Sequence, residues 1–222
     1  MKDIINIDRG NIGIKLSGGA DSSIVYYAIC EKYKNNNDVN IIPVTLDTNL
    51  KFWYVHTAKK VIAKVGELTG KYPLEHVTDK VTHSEENYVN GQERLRQLVV
   101  DKYNTVEFFS GVTYNPDIAN MTEYFRKNHT KLGLDYNATM KGIQERDKSR
   151  DQKKMKPTAT HYEPLIDKID CFETYKKYGV IDSLYPVTFS CENTYKQKLS
   201  KLKHCGTCFF CLERYFAFGR IV

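Results

Sequence analysis

No stretch of the 222 residues approaches the length of a membrane span. The amino end, Met1-Lys2-Asp3-Ile4-Ile5-Asn6, also lacks the basic-then-apolar build of an export signal. A cytoplasmic location with reduced thiols and no membrane partner is therefore expected. A Gly-x-x-x-x-Gly-Lys-Ser/Thr pattern occurs nowhere, which excludes the usual phosphate loop. There is no internal repeat, and no break in composition demands a second full domain. A formal charge of +6 and a pI near 8.8 suit anionic partners such as nucleotides. The basic residues fall short of the dense stripe that a nucleic-acid binder presents. Disulfides are not needed either, because a chain this long buries a substantial core and fits one α/β domain with an appendage.

The most informative stretch is Ile12-Gly13-Ile14-Lys15-Leu16-Ser17-Gly18-Gly19-Ala20-Asp21-Ser22-Ser23, followed by the apolar run Ile24-Val25-Tyr26-Tyr27-Ala28-Ile29. Its order is strand, glycine-rich turn, helix. Paired glycines let backbone approach a ligand closely, and Asp21 or a neighbouring serine can cap the helix that follows. Such a corner aims backbone N–H groups and the positive end of a helix dipole at one spot, which makes an anion site. Lys15, inside the first strand, reads as an ordinary edge-facing lysine, with reach to a phosphate as the alternative.

Further along, strand and helix patterns alternate. Residues 40–47 form a buried-strand candidate. Residues 52–69 carry Val55, Ala58, Ile62, Val65 and Leu68 at helical spacing and stop at Gly70. Residues 72–77 are expected as a weaker strand, 93–103 as a helix, and 105–111 as a strand ending in Gly111. This alternation predicts βαβ units, a parallel sheet and a ligand site at the carboxyl ends of its strands. Between 125 and 157 the pattern fades. The run 144–156 is highly charged and reads as a solvated helix or mobile loop, with a lid over phosphates as the alternative. A short helix is expected from about Cys171 to Tyr178, closed by Gly179.

The carboxyl end carries Cys191 and then Cys205-Gly206-Thr207-Cys208-Phe209-Phe210-Cys211. Four thiolates, three of them at two-residue intervals, have the number and spacing that a tetrahedral zinc requires. An iron–sulfur cluster also accepts four cysteines. Zinc is preferred because nothing else in the chain suggests electron transfer. His204 is expected to point away from the site. Cys30 and Cys171 read as core or surface thiols.

Taken together, Ser-Gly-Gly-x-Asp-Ser at residues 17–22, Pro164-Leu165 with Lys168 and Asp170, Gly179, Thr188-Phe189-Ser190-Cys191, the Cys-Gly-x-Cys-x-x-Cys run and Arg214 resemble the 7-cyano-7-deazaguanine synthase family. That family makes the nitrile precursor of queuosine and archaeosine, within the ATP pyrophosphatases (PP-loop enzymes). Asp47, His56, and Gly111-Val112 with Asp117 add looser likenesses. Ala20 stands where the family usually has Gln. Asn90-Gly91-Gln92-Glu93-Arg94 occupies the place of a Pro-Gly-Arg-Asn segment, and the 125–157 stretch is longer than its counterpart. These departures fit a divergent or viral relative, and they bear on the substrate pocket more than on the loop or metal site.

The resemblance implies a Rossmann-like parallel-sheet α/β domain of the adenine-nucleotide alpha-hydrolase type over 1–185, with a small zinc-binding region over 186–222. It implies that Leu16, Ser17, Gly18, Gly19, Ala20, Asp21, Ser22 and Ser23 bind ATP with Mg²⁺, the latter near Asp21. Leu46 and Asp47 would lie against the adenine and Gly111 at the neighbouring strand end. Cys191, Cys205, Cys208 and Cys211 would hold structural Zn²⁺. The implied reaction joins ammonia to 7-carboxy-7-deazaguanine through an acyl adenylate, releasing AMP and pyrophosphate, with no catalytic side-chain acid, base or nucleophile. Nucleic acid is not required, and a homodimer is left open. Two other classes stay in view. One is an adenylating sulfur-transfer or tRNA-modifying enzyme with Cys30, Cys171 or the carboxyl cluster as its working thiols. The other is a zinc-containing nucleic-acid-binding module.

Overall fold

The computed structural model describes residues 6–49, 51–82, 85–147, 160–161, 167–192 and 197–222. The strands are β1 (Gly10–Lys15), β2 (Val39–Thr48), β3 (Val77–Val81), β4 (Thr105–Ser110) and β5 (Thr160–His161). The helices are α1 (Ala20–Lys32), α2 (Tyr54–Thr69), α3 (Glu85–Tyr103), α4 (Ile118–Asn128), α5 (Tyr136–Asp147), α6 (Lys168–Lys177) and α7 (Phe209–Phe218). All paired strands run parallel, in the order β3-β2-β1-β4-β5. The chain thus winds outward from β1 to β3 and then returns to the other side of β1. That reversal puts the topological switch point between β1 and β4, where α/β sheets bind ligands beyond their strand ends.

Period-two alternation in the strands feeds two cores, one on each face of the sheet. Ile12, Ile14, Ile41 and Phe109 face α1, α2 and α6. Ile42, Val44, Leu46 and Phe108 face Leu95 and Val99 of α3. Gly13 lies under the Phe108 ring, where a Cβ would come within 2.2 Å of it. A third cluster joins Met121 and Phe125 of α4, Ile143 of α5, and Phe209 and Leu212 of α7.

Several expectations shift. Residues 72–76 are not strand, and β3 begins only at Val77. The Tyr72 ring covers Gly66, where a Cβ would meet it at 2.3 Å, and this draws the segment off the sheet and onto α2. Helix α3 begins at Glu85 and runs through Gly91. Glycine costs a helix interior about 1 kcal/mol, but here it admits Val81 and Leu46, which lie 2.9 and 3.2 Å from where its Cβ would be. On α2 the buried stripe is Ala58, Val61 and Val65, while Leu68 is 38% exposed. Lys15 is not on an edge, since β1 is the central strand.

The region from 125 onward holds helix rather than a fading pattern, and Gln144 belongs to the end of α5. The rest of the expected charged run, 148–156, and the Pro164-Leu165 segment lie outside the described residues. Helix α6 starts at Lys168, three residues earlier than expected. Asp167 accepts from the amides of Ile169 and Asp170 at 2.7 and 3.0 Å, and Asp170 returns a bond to the Asp167 amide. No helix among the described residues is long and apolar enough to cross a membrane.

Gly13→Ala should lower the unfolding free energy by about 1–3 kcal/mol, because the Phe108 ring must leave its rotamer to admit a methyl group. The expected reading is a lower denaturant midpoint at unchanged slope. A midpoint equal to that of the unmodified protein would show that the ring yields without cost.

Candidate functional site

The loop at the end of β1 closes on itself. Ser17 N–H donates to Ser22 Oγ at 3.3 Å, Gly19 N–H to Ser17 Oγ at 3.3 Å, and Ser23 Oγ to Gly19 O at 2.7 Å. Gly18 has φ +78°, and a Cβ there would strike Thr57 at 2.7 Å and the Ala58 nitrogen at 2.8 Å. Two independent requirements, a left-handed backbone and close packing on α2, therefore select glycine. Gly19 is the N-cap of α1 and offers no side chain to cap it. The first-turn amides of α1 thus face out of the helix, in the arrangement that binds phosphate. At the switch point Gly111 abuts the same turn, since a Cβ there would lie 2.6 Å from the Asp21 carbonyl oxygen.

The side chains of Leu16, Ala20, Ser22 and Ser23 are buried. Any contribution they make to a ligand comes from backbone or from shaping the loop. Leu46 and Ser17 line one small pocket of about 40 Å³ with Lys15, Tyr54, Tyr88 and Gln92. Asp47, next along β2, is not among its walls. Lys15 Nζ donates to Gln92 Oε1 at 3.4 Å. Burial lowers its pKa, with Glu93 acting in the opposite direction.

Asp21 is not open to solvent in the way its place in the loop suggests. Lys168 Nζ, from the first turn of α6, donates to both carboxylate oxygens at 2.7 and 2.6 Å, and Thr113 Oγ1 donates to Oδ2 at 3.1 Å. Glu213 on α7 lies 4.0 Å from the same ammonium. Burial alone would lower the Lys168 pKa, but the Asp21 and Glu213 carboxylates outweigh it and the net shift is upward. Beside this pair, burial and the Asp21 charge push the Cys171 thiol well above its usual range. Tyr175 OH donates to the Ala20 carbonyl at 3.0 Å, so α6 grips the loop twice.

Arg214 is among the largest fully buried side chains, 1% exposed. It donates to Thr188 Oγ1 at 3.0 Å and to Ser190 Oγ at 3.4 Å, and its guanidinium lies 4.2 Å over the Tyr185 ring. The sequence likeness drew attention to Lys168 and Arg214 without giving either a role. Glu213 and Thr113 carried no local signal, because their partners come from distant segments.

The four cysteines come together, with all four sulfurs within 4.8 Å of one another. Ligands about 2.3 Å from a tetrahedral ion stand about 3.8 Å apart, and the Cys205–Cys211 and Cys208–Cys191 sulfurs are separated by 3.9 and 4.0 Å. The amide of Cys205 points at Cys191 Sγ at 3.4 Å and that of Cys208 at Cys205 Sγ at 3.2 Å. Hydrogen bonds from Cys208 and Cys211 hold Cys191 below its usual range. These sulfurs therefore fit a four-coordinate metal. His204 does not point away as expected. Its Nδ1 is 3.4 Å from Cys211 Sγ, and burial followed by the Arg214 charge lowers its pKa to about 3, so the imidazole is neutral.

No family model matches the chain, and no curated protein matches it. Among solved structures, the chain shows likeness to "U34-tRNA thiolase NcsA from Methanococcus maripaludis with its [4Fe-4S] cluster" at 15% identity and a TM-score of 0.42. The match covers 94% of this chain and 70% of that one. Likeness at that level says nothing about substrate or cofactor here.

Two measurements test the site. Metal analysis should find one zinc per chain, and iron with visible charge-transfer absorption, or no metal, would overturn that assignment. Lys168→Met strands two carboxylates and should cost about 3–5 kcal/mol in a urea titration, with part of the loss recovered by adding Asp21→Asn. A cost below about 1 kcal/mol would mean that the pair is solvated.

Proposed function

We propose that the chain is an ATP-dependent carbon–nitrogen ligase that converts 7-carboxy-7-deazaguanine and ammonia to 7-cyano-7-deazaguanine, forming AMP and pyrophosphate. The observation that carries the reading is the Ser17–Ser23 turn. It is a helix N-terminus without a side-chain cap at the sheet's switch point, closed by its own serines and backed by Gly111. The substrate class comes from the order of motifs along the chain.

In this reading the turn's amides hold the β- and γ-phosphates as one leaving unit while the substrate carboxylate attacks the α-phosphorus. Pyrophosphate leaves with the electron pair of the broken P–O bond. Ammonia then adds to the acyl carbon and AMP departs, carrying one substrate oxygen and leaving an amide. A second ATP activates the amide oxygen in the same way. Loss of that oxygen as AMP, together with the two N–H protons, gives the nitrile. Mg²⁺ accompanying ATP supplies charge neutralisation. The residues around the turn contribute position, so no side chain needs to act as acid, base or nucleophile.

The sulfur-transfer reading loses two of its candidate carriers. Cys30 and Cys171 are both 0% exposed, and burial pushes the Cys30 thiol up to about 12. That chemistry would have to run through the carboxyl cluster. A nucleic-acid-binding module leaves the Ser17–Ser23 turn without a task.

Turnover with 7-carboxy-7-deazaguanine, ATP, Mg²⁺ and ammonia should release AMP and pyrophosphate, and mass spectrometry should find carboxylate ¹⁸O in the AMP. Gly18→Ala should slow this about 10²-fold or more, because the loop must move to admit a Cβ. ADP as product would refute the mechanism. Pyrophosphate release that ignores the deazaguanine but responds to tRNA and a sulfur donor would replace the acceptor.

A further inference from the structure

The phosphate turn and the cysteine centre stand at opposite ends of the sequence, yet one short segment touches both. Phe189 N–H donates to the Gly18 carbonyl at 2.9 Å, at the residue whose φ of +78° gives the turn its shape. The next residue lies against the second glycine, with Ser190 Oγ 3.3 Å from where a Gly19 Cβ would be. Cys191 follows and delivers its sulfur to the centre. Two residues of extended chain span at most about 7 Å, so the Gly18 carbonyl and the Cys191 sulfur cannot move independently over any larger distance.

The segment is also held from the side by the elements that carry the other thiols. Arg214, on the same helix as Cys211, donates to Thr188 and to Ser190 Oγ. The Phe189 ring sits between Trp53, at 5.9 Å between centroids, and His204, at 4.6 Å. His204 Nδ1 in turn lies against Cys211 Sγ. At its start the segment is also tied to the Tyr185 carbonyl, which accepts from the Thr188 N–H at 3.1 Å and from its hydroxyl at 2.7 Å, so from Phe189 onward its contacts outside the turn run to Trp53, to α7 and to the cysteine centre.

We infer that residues 188–191 form a strap through which metal held by the four thiols sets the geometry of the Ser17–Ser23 turn. The centre is then a positioning site for the turn as well as a cross-link in the fold. With metal bound, Cys191 is anchored and the Phe189 amide is presented to Gly18. Without metal, the sulfurs lose their common partner, the strap relaxes, and Gly18 loses the bond that holds its left-handed backbone. The consequence for nucleotide affinity rests on the function proposed above, whereas the mechanical link does not.

Hydrogen exchange followed by mass spectrometry on the full chain separates the two. Chelation should speed exchange of the amides in residues 17–23 about tenfold, the scale of one lost hydrogen bond, and restoring zinc should reverse it. A peptide over residues 41–46 in β2 should not change. Unchanged exchange at 17–23 after metal loss would overturn the inference. If chelation also exposes β2, the metal-loaded variants decide. Thr188 has φ −87° and ψ 150°, which suits a following proline. Phe189→Pro removes the donor to Gly18, and Phe189→Ala keeps that donor while removing the ring. With metal content equal in both, Phe189→Pro should loosen the turn and Phe189→Ala should loosen it less. Equal protection of the turn in Phe189→Pro and the unmodified protein would overturn the strap. ATP titration of the same samples should show affinity falling with turn protection. Failure of the loaded, unmodified protein to bind ATP would remove the nucleotide reading and leave the exchange result to decide the link.

Discussion

The Lys168–Asp21 ion pair is the interaction on which the arrangement of the site depends. Each partner comes from the first turn of a different helix, and the lysine is withdrawn from water. An ammonium in such a place is tolerated only with carboxylates close by, and Asp21 and Glu213 meet that need from α1 and α7. The pair therefore fixes where α6, and through Glu213 α7, stand relative to the Ser17–Ser23 turn. Hydrophobic contact alone is non-directional and would allow those helices to slide. Tyr175, hydrogen-bonded to the Ala20 carbonyl about two turns further along α6, removes the remaining freedom.

What could be read from the sequence follows the range of the forces involved. The Ser17–Ser23 turn, the stop at Gly70 and the four-thiol spacing are local patterns, because glycine's backbone freedom and a metal's ligand geometry act over a few residues. Helices α4, α5 and α7 gave no comparable pattern. Helix α4 buries a narrow stripe, Met121 and Phe125, that has meaning only against α5 and α7, while α7 is buried on several sides by partners from distant segments. The expected helix begins at 93, whereas α3 runs through Gly91, because the contacts with Val81 and Leu46 that favour glycine there come from distant strands. Lys15 was misplaced for a related reason, since an edge cannot be told from a centre until β4 is seen to return beside β1.

The carboxyl end is tied into the rest of the structure through one helix. Helix α7 carries Cys211 on one side and packs Leu212 into the α4–α5 cluster on another, while Phe218 stacks on Tyr185 in the main core. Arg214 continues the connection inward to Thr188 and Ser190. Helix α7 therefore joins three clusters, while the half-buried cysteine loop that precedes it sits nearer the surface.

The buried charges behind the turn also bear on how it would attract an anion. Lys168 and Arg214 stand against Asp21 and Glu213, so these four side chains balance in formal charge before any ligand arrives. Lys168 in particular is committed to Asp21 and is not a free cation awaiting phosphate. On the proposed reading, attraction for a triphosphate would come from the first-turn amides of α1, the helix dipole behind them, Lys15 in the neighbouring pocket and any cation that travels with the nucleotide. Dipoles held in place by a charge-balanced, packed surround need no rearrangement as charge develops on a leaving group. A site built this way gains its selectivity from geometry. On the reading proposed above, two glycines, a serine-closed turn and a buried ion pair would then suffice where a nucleophile or general base would otherwise be expected.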